Sequence, residues 1–118
     1  MHRMVMELGM GTDIRGQDYT KASVRAVENA LRQNSLSVAD AFGVSRDDMK
    51  VEINIGVQRP EEVDTSAVAA TIPYGEPTVN VAMGGMDIAK DNGEAGTILA
   101  NAALVVYLDL SDGKGATQ

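Results

Sequence analysis

The chain has 118 residues, of which 44% are hydrophobic, and this length and composition predict one folded domain rather than a disordered chain. Its net charge is −7, which argues against the basic surface that nucleic acids and anionic membranes bind. We therefore expect no nucleic acid and no membrane as partners. The sequence contains no cysteine, so disulfides, thiolate nucleophiles and Cys-based zinc sites are excluded, which fits a reducing compartment. The first nine residues are too short and too charged for a signal peptide, and no apolar run approaches the roughly 20 residues that span a bilayer. We therefore expect a cytoplasmic protein, with an organelle-mature form as the alternative.

The first half of the chain predicts a strand, a glycine-rich loop and a helix. Alternating residues over 3–8 indicate a strand with Met6 and Leu8 on one face and Glu7 on the other. Glycines over 9–16 then predict a loop. Apolar residues at spacings of three and four predict an amphipathic helix over 19–33, capped by Asp18 or Thr20.

The second half continues the order β-α-β-α-β-β. Its patterns predict, in chain order, a helical turn at 37–42, strands over 50–58, 78–83 and 98–110, a helical segment that starts near Glu61 with its body at 66–70, and a flexible tail over 111–118. The fold class is therefore α+β, with a four-stranded mixed sheet, two helices on one face, and a single domain over 1–110.

The loop over 9–16 is the first candidate site. Gly9, Gly11 and Gly16 allow a ligand to approach the backbone closely, and amides near a helix N-terminus can bind an anion. We expect Thr12 and Arg15 to bind ligand there. Asp13, within the same loop, is a candidate catalytic residue. The motif is neither a Rossmann fingerprint nor a P-loop, and a tight strand-to-helix turn closed by an Asp–Arg ion pair is the alternative.

Polar residues within the predicted strands are the second candidate site. They are Glu7, Glu52, Asn54, Asn80 and Asn101. If the helices cover the apolar face of the sheet, all five point the other way. Glu7 and Glu52 could then form an acid–base pair, because two close carboxylates shift each other's pKa. The alternative is a solvated face.

A third candidate consists of the segment Met83-Gly84-Gly85-Met86-Asp87 together with the segment Arg59-Pro60-Glu61-Glu62. In it, Arg59 ends a strand and can bind a carboxylate or phosphate. A surface salt bridge is the alternative. The sole histidine, His2, lies at a terminus, so histidine base catalysis is not expected. No residue spacing matches a zinc site or an EF-hand, so no metal site is assigned. Binding of Mg²⁺, Mn²⁺ or Ca²⁺ by aspartate and glutamate stays an open alternative, as in a regulatory metal sensor. The cofactor is left unknown.

The run over 7–18 resembles the opening of the Lin0512 family of conserved hypothetical proteins, whose hallmark is GxGxDxHG. Gly9, Gly11, Asp13 and Gly16 match that motif, and Arg15 stands where the family has histidine. Further matches occur in order at 34–36, 51–57, 59–61, 73–75 and 84–86. The resemblance implies no established activity. The arginine disfavours a histidine-dependent mechanism and favours recognition of an anion.

The predicted layout is also similar to the chorismate-mutase-like fold, which implies a homo-oligomer, with a trimer favoured. We therefore expect a small polar metabolite to bind where the loop meets a neighbouring subunit. The reaction considered for this site is hydrolysis or a lyase reaction. The competing hypothesis is a non-catalytic homo-oligomeric binding or assembly module. Whether the protein is an enzyme is left open, because fold analogy does not establish function.

Overall fold

Five strands and two helices form the part of the chain that the structure, a computed structural model, describes: residues 2–33 and 49–108. They are β1 (His2–Asp13), α1 (Tyr19–Gln33), β2 (Lys50–Val57), α2 (Thr65–Ala69), β3 (Thr78–Met83), β4 (Met86–Ile88) and β5 (Thr97–Leu108). A short 3₁₀ turn, Pro60–Glu62, precedes α2. The predicted helical turn at 37–42 and the predicted tail lie outside the described residues.

The strands form one mixed sheet in the order β1-β5-β2-β3, with β4 paired to β5. β5 runs antiparallel to β1 and β2, whereas β3 is parallel to β2. The prediction of four strands was wrong, because the residues after Gly85 extend again. Gly85 has a φ of +61° and turns the chain so that Met86–Ile88 pairs with residues 97–99 of β5.

Helix α1 has the predicted bounds and covers the sheet with a face of small residues. Its alanines at 22, 26 and 30 are completely buried, and its first turn is capped by Asp18, whose Oδ1 accepts the Lys21 amide at 3.0 Å. Both helices pack on the same face of the sheet, against alternating residues of β2 and β5. We call this the helix-covered face. None of the described helices has the length and apolar character that crossing a membrane requires.

Strand β1 corrects two predictions at once. It runs to Asp13, whereas a loop was predicted over 9–16. The loop between β1 and α1 therefore consists of residues 14–18. Gly9 and Gly11 lie within the strand, directly beneath α1. A Cβ atom on Gly9 would stand 2.4 Å from the Ala26 carbonyl oxygen, and one on Gly11 would stand 2.3 Å from the Ala26 nitrogen. The space that the two glycines open is therefore filled by the helix.

The same packing reverses the predicted facing of β1. Glu7 shares the helix-covered face with the two glycines and is 3% exposed. Met6, Leu8 and Met10 are between 51% and 60% exposed on the opposite face, which we call the open face. Glu52, Asn54, Asn80 and Asn101 lie on the open face as predicted, since their strand neighbours point into the core.

Candidate functional site

The carboxyl ends of β1, β2 and β3 meet at one edge of the sheet. The three strands share a direction, since β1 and β2 both run antiparallel to β5 and β3 is parallel to β2. In open α/β sheets this edge is the usual position of a ligand. A cleft of about 360 Å³ opens there. We call it the carboxyl-end cleft. Its polar wall consists of Gln17, Tyr19, Arg59, Glu62, Asp87 and Glu94.

Tyr19 and Asp87 form the central contact of this cleft. The Tyr19 hydroxyl donates a hydrogen bond to Asp87 Oδ2. Tyr19 is the first residue of α1, and Asp87 reaches it from β4 because its pairing partner, Ile98, faces the helices. Burial, and then the bond to Asp87, raise the pKa of Tyr19 to about 12. Tyr19 therefore stays protonated at neutral pH and acts as a hydrogen-bond donor, not as a base.

Two further contacts shape the walls of the cleft. Arg59 Nη1 lies 3.3 Å from Glu62 Oε2, and both side chains are exposed, so the pair orients the guanidinium but adds little stability. On the other side, Gln17 Nε2 donates a hydrogen bond to the Gly96 carbonyl oxygen. That contact joins the loop over 14–18 to the loop before β5. The cleft is thus bounded by segments from three parts of the sequence.

Asp13 lies behind the loop over 14–18 and holds it in shape. Its Oδ2 accepts the Asp18 amide at 2.9 Å, and its Oδ1 accepts the Gly16 amide at 3.3 Å. The Asp18 hydrogen bond is the largest of the causes that lower the pKa of Asp13. The arginine that pairs with Asp13 is Arg25, whose Nη1 lies 3.8 Å from Asp13 Oδ1. The geometry thus gives the tight turn of the alternative interpretation, with Arg25 rather than Arg15 as the cation.

The remaining residues of the predicted loop site have structural contacts or lie outside the cleft. The Thr12 carbonyl oxygen accepts a hydrogen bond from Arg25 at 2.7 Å. A Cβ atom on Gly16 would lie 2.7 Å from Asp13 Oδ2, so the loop packs tightly on that carboxylate. Arg15 is exposed and does not line the cleft.

Glu7 and Glu52 do not form the predicted acid–base pair. Glu7 pairs with Leu104 and Glu52 with Val105. Consecutive strand residues point to opposite faces, so the sheet separates the two carboxylates. Glu52 accepts a hydrogen bond from Asn54 Nδ2 at 3.0 Å. Glu7 Oε2 is buried and has no hydrogen-bond partner among the described residues, and burial raises the pKa of Glu7.

Glu7→Gln is expected to increase the free energy of unfolding at pH 7 by about 1 kcal/mol. A buried polar group without a hydrogen-bond partner costs about 1–3 kcal/mol and a charged one costs more, so replacing the carboxylate by a neutral amide removes part of this cost. Because the folded-state pKa of Glu7 is raised above its ordinary 4.5, the folded state holds this proton more tightly than the unfolded state. The stability of the wild type therefore falls as the pH rises from the ordinary pKa of 4.5 through the raised pKa of the folded state. The variant has no carboxyl group at this position and lacks this dependence on pH.

Urea denaturation at pH 4 and pH 7 measures the difference, with exposed Glu28→Gln as the control. We expect Glu7→Gln to increase the free energy of unfolding more at pH 7 than at pH 4. Glu28→Gln should leave the free energy of unfolding unchanged at both pH values. A loss of stability at pH 7 would show that the charged form of Glu7 has a favourable partner, contrary to the prediction.

Gly84 and Gly85 carry the chain across the end of β2. The Gly84 amide donates to the Val57 carbonyl oxygen at 3.0 Å, and the Gly85 amide donates to Asn101 Oδ1 at 3.0 Å. A Cβ atom on Gly85 would lie 2.1 Å from the Leu99 carbonyl oxygen. These glycines are needed for backbone-to-backbone packing, whereas the sequence pattern predicted a ligand contact.

Of the predicted site residues, Arg59 lines the carboxyl-end cleft, together with Glu62 and Asp87 from the two segments of the third candidate. The sequence analysis assigned no role to Asp87 itself, and it missed Tyr19 and Gln17. Among residues 2–33 and 49–108, no group of three or more histidine, aspartate or glutamate side chains is placed to hold a metal ion.

Comparison with known proteins gives a family and a fold. The model of the Lin0512 family of conserved hypothetical proteins matches residues 3–106. A crystal structure described as an FtsZ-like protein of unknown function, from Nostoc punctiforme, is similar to this chain with 34% sequence identity and a TM-score of 0.82. The similarity covers 92% of this chain and 96% of that one. No curated protein matches the chain.

Proposed function

Since the chain belongs to the Lin0512 family of conserved hypothetical proteins, whose description states no activity, we propose a function from its geometry: the carboxyl-end cleft binds a small polar molecule through a nitrogen donor group. The observation that carries the proposal is the Tyr19–Asp87 hydrogen bond within the cleft. A donor that stays protonated fixes the orientation of the Asp87 carboxylate. That carboxylate keeps further lone pairs for a ligand.

The charge of the cleft supports a nitrogen-containing ligand. Asp87, Glu62 and Glu94 contribute three carboxylates to its walls, against the single guanidinium of Arg59. Because Arg59 already pairs with Glu62, the uncompensated charge is negative. An ammonium or amide N–H group therefore meets acceptors at Asp87. A carboxylate elsewhere on the same molecule can share the remaining donors of Arg59.

The binding test uses backbone amide NMR with a panel of simple amino acids, amines and carboxylates. Molecules that carry an ammonium group are expected to shift the signals of Gly93 and Gly96, which line the cleft, more than that of Gly56, which lies outside it. Asp87→Asn is expected to weaken binding about tenfold, which corresponds to one charge-assisted hydrogen bond.

Asp91→Asn is the matched control, since Asp91 is exposed in the adjacent turn and does not line the cleft. It should bind as the wild type does. The proposal fails if no ammonium-bearing molecule shifts the cleft amides, or if the two asparagine variants bind equally well.

We propose in addition that the bound nitrogen-containing molecule undergoes hydrolysis or a lyase reaction in the same cleft. In hydrolysis, Asp87 would take a proton from the water that attacks the carbon bonded to nitrogen; in a lyase step, it would take the proton from the carbon next to the carbon–nitrogen bond. In either case that carbon–nitrogen bond breaks and Asp87 returns the proton to the leaving nitrogen, while the Tyr19 hydroxyl holds Asp87 in place. Product formation from the bound panel members, followed by NMR, tests this step separately from binding. The chorismate-mutase-like relationship, the cytoplasmic location and a trimer with a ligand site at the subunit boundary also stay predictions.

A further inference from the structure

The open face of the sheet carries large exposed apolar side chains that no described element covers. Met6, Leu8 and Met10 of β1 and Met86 and Ile88 of β4 are each about half exposed or more. β5 runs between the two strands and contributes Leu99 and Ala103, which pair with Thr12 and Leu8. Clusters of exposed large apolar side chains of this kind mark interaction sites.

We propose that a second copy of this chain covers the open face. This inference is independent of ligand binding in the carboxyl-end cleft. One argument is shape. Leu8 and Met10 project from β1 and line an apolar groove of about 430 Å³, whose other lining residues include Ala103 of β5 and Asn29 of α1. A surface that presents both projecting side chains and an adjacent hollow is complementary to itself, as contacts between identical subunits require.

Charge also favours a second copy. The chain carries a net charge of −7, so two copies repel unless they meet at a neutral surface. Strand pairing assigns three charged residues to the open face, Arg3, Lys50 and Glu52, and all three lie near one end, because Arg3 and Lys50 both pair with Tyr107. The other strand residues that pairing assigns to that face are neutral. A partner of strong positive or negative charge would have little to recognise here.

The polar residues of the open face already have partners within the face. Asn54 Nδ2 donates to the Ala103 carbonyl oxygen at 3.3 Å, Asn80 Nδ2 donates to Asn54 Oδ1 at 3.3 Å, and Asn101 Oδ1 accepts the Gly85 amide. Burying polar groups is costly when they lose hydrogen bonds to water without replacement. Covering these asparagines therefore costs less than covering unpaired ones.

The area of the face suits a stable contact. β1 and β5 have 12 residues each, β2 has 8 and β3 has 6. At roughly 3.3 Å per residue and roughly 4.8 Å per strand, they form a face of roughly 600 Å². This area is at the lower end of what each partner buries in a specific protein–protein interface.

Sedimentation equilibrium of the whole chain tests the proposal. We expect the wild type to form an oligomer at micromolar concentration and Leu8→Glu to raise its dissociation constant by about thirtyfold or more, as a central interface residue does. Met83→Glu is the control. Met83 is 71% exposed but pairs with Val57, which faces the helices, so it does not lie on the open face.

A monomeric wild type would overturn the proposal, as would an oligomer that both variants weaken equally. A thermal melt identifies the occupant in the monomeric case. If Leu8→Glu lowers the Tm of a monomer and Met83→Glu does not, a segment of the same chain covers the face. If neither changes the Tm, the face is free for an unrelated partner.

Discussion

Gly11→Ala is expected to lower the free energy of unfolding by about 3 kcal/mol, the largest single effect that we predict. The new Cβ atom would lie 2.3 Å from the Ala26 nitrogen and 2.4 Å from the Ala22 carbonyl oxygen. Both are backbone atoms of α1, so no side-chain rotation relieves the contact and the helix must move away from β1. Overpacking of a core costs about 1–3 kcal/mol and sometimes more, and a rigid backbone neighbour places this variant at the upper end.

Urea denaturation followed by circular dichroism measures this loss, with Gly93→Ala as the control. Gly93 has a φ of +85°, but a Cβ atom there would meet nothing within 4 Å. The control should therefore lose about 1 kcal/mol through its left-handed backbone alone. Equal losses in the two variants would contradict the packing role of Gly11 and would favour the earlier hypothesis that this glycine admits a ligand.

Helix α1 and strand β2 were predictable because each has one dominant period. In α1 the alanines at 22, 26 and 30 repeat at the helical spacing, and Asp18 supplies the cap. In β2, apolar and polar residues alternate from Val51 to Val57, and the apolar set is buried. In both, the residues that define the period are also those that enter the core, so the pattern and the packing agree.

Strand β1 shows where this reasoning fails. Its alternation was visible, but the side with the large apolar residues was assumed to face the helices. Glycines at 9 and 11 instead meet the alanines of α1, so two backbones pack closely and Met6, Leu8 and Met10 are placed outside. Hydrophobicity alone ranks methionine above glycine for burial. The available signal was the match between alternate glycines in the strand and a small-residue stripe in the helix.

The candidate site was harder to predict than the fold because it depends on topology. Tyr19 and Asp87 are separated by 68 positions, and no local motif contains both. They meet because Gly85 turns the chain after β3 and allows β4 to pair with β5 near the start of α1. A short strand of three residues has too few positions for its period to be recognised, so the sequence analysis predicted no strand over the residues that bring Asp87 into the cleft.

Asp13→Ala is expected to lower the free energy of unfolding by about 2 kcal/mol, within the range for a hydrogen bond to a charged group. Both carboxylate oxygens of Asp13 accept backbone amides of the loop that joins β1 to α1. Without them, the amides of Gly16 and Asp18 lose their acceptor. The exposed Asp91→Ala should have no comparable effect.

The effect of Asp13→Ala should depend on pH in a defined direction. The folded-state pKa of Asp13 lies below its ordinary value of 3.8. The carboxylate therefore makes its full contribution to the stability of the folded state at pH values above 3.8. This contribution is lost as the pH falls through the lowered pKa. The difference between wild type and variant in urea denaturation should therefore be constant from pH 5 to 7 and become smaller at pH 2–3.

Asp13→Ala also separates the two hypotheses for the glycine-rich segment over 9–16. If Asp13 contacts a ligand directly, the variant keeps its stability and loses ligand-induced stabilisation. If Asp13 shapes the loop, stability falls first, and ligand binding weakens only because Gln17 no longer holds one wall of the cleft. Because both carboxylate oxygens already bind backbone amides, we expect the second result, which makes Asp13 a positioning residue for the carboxyl-end cleft.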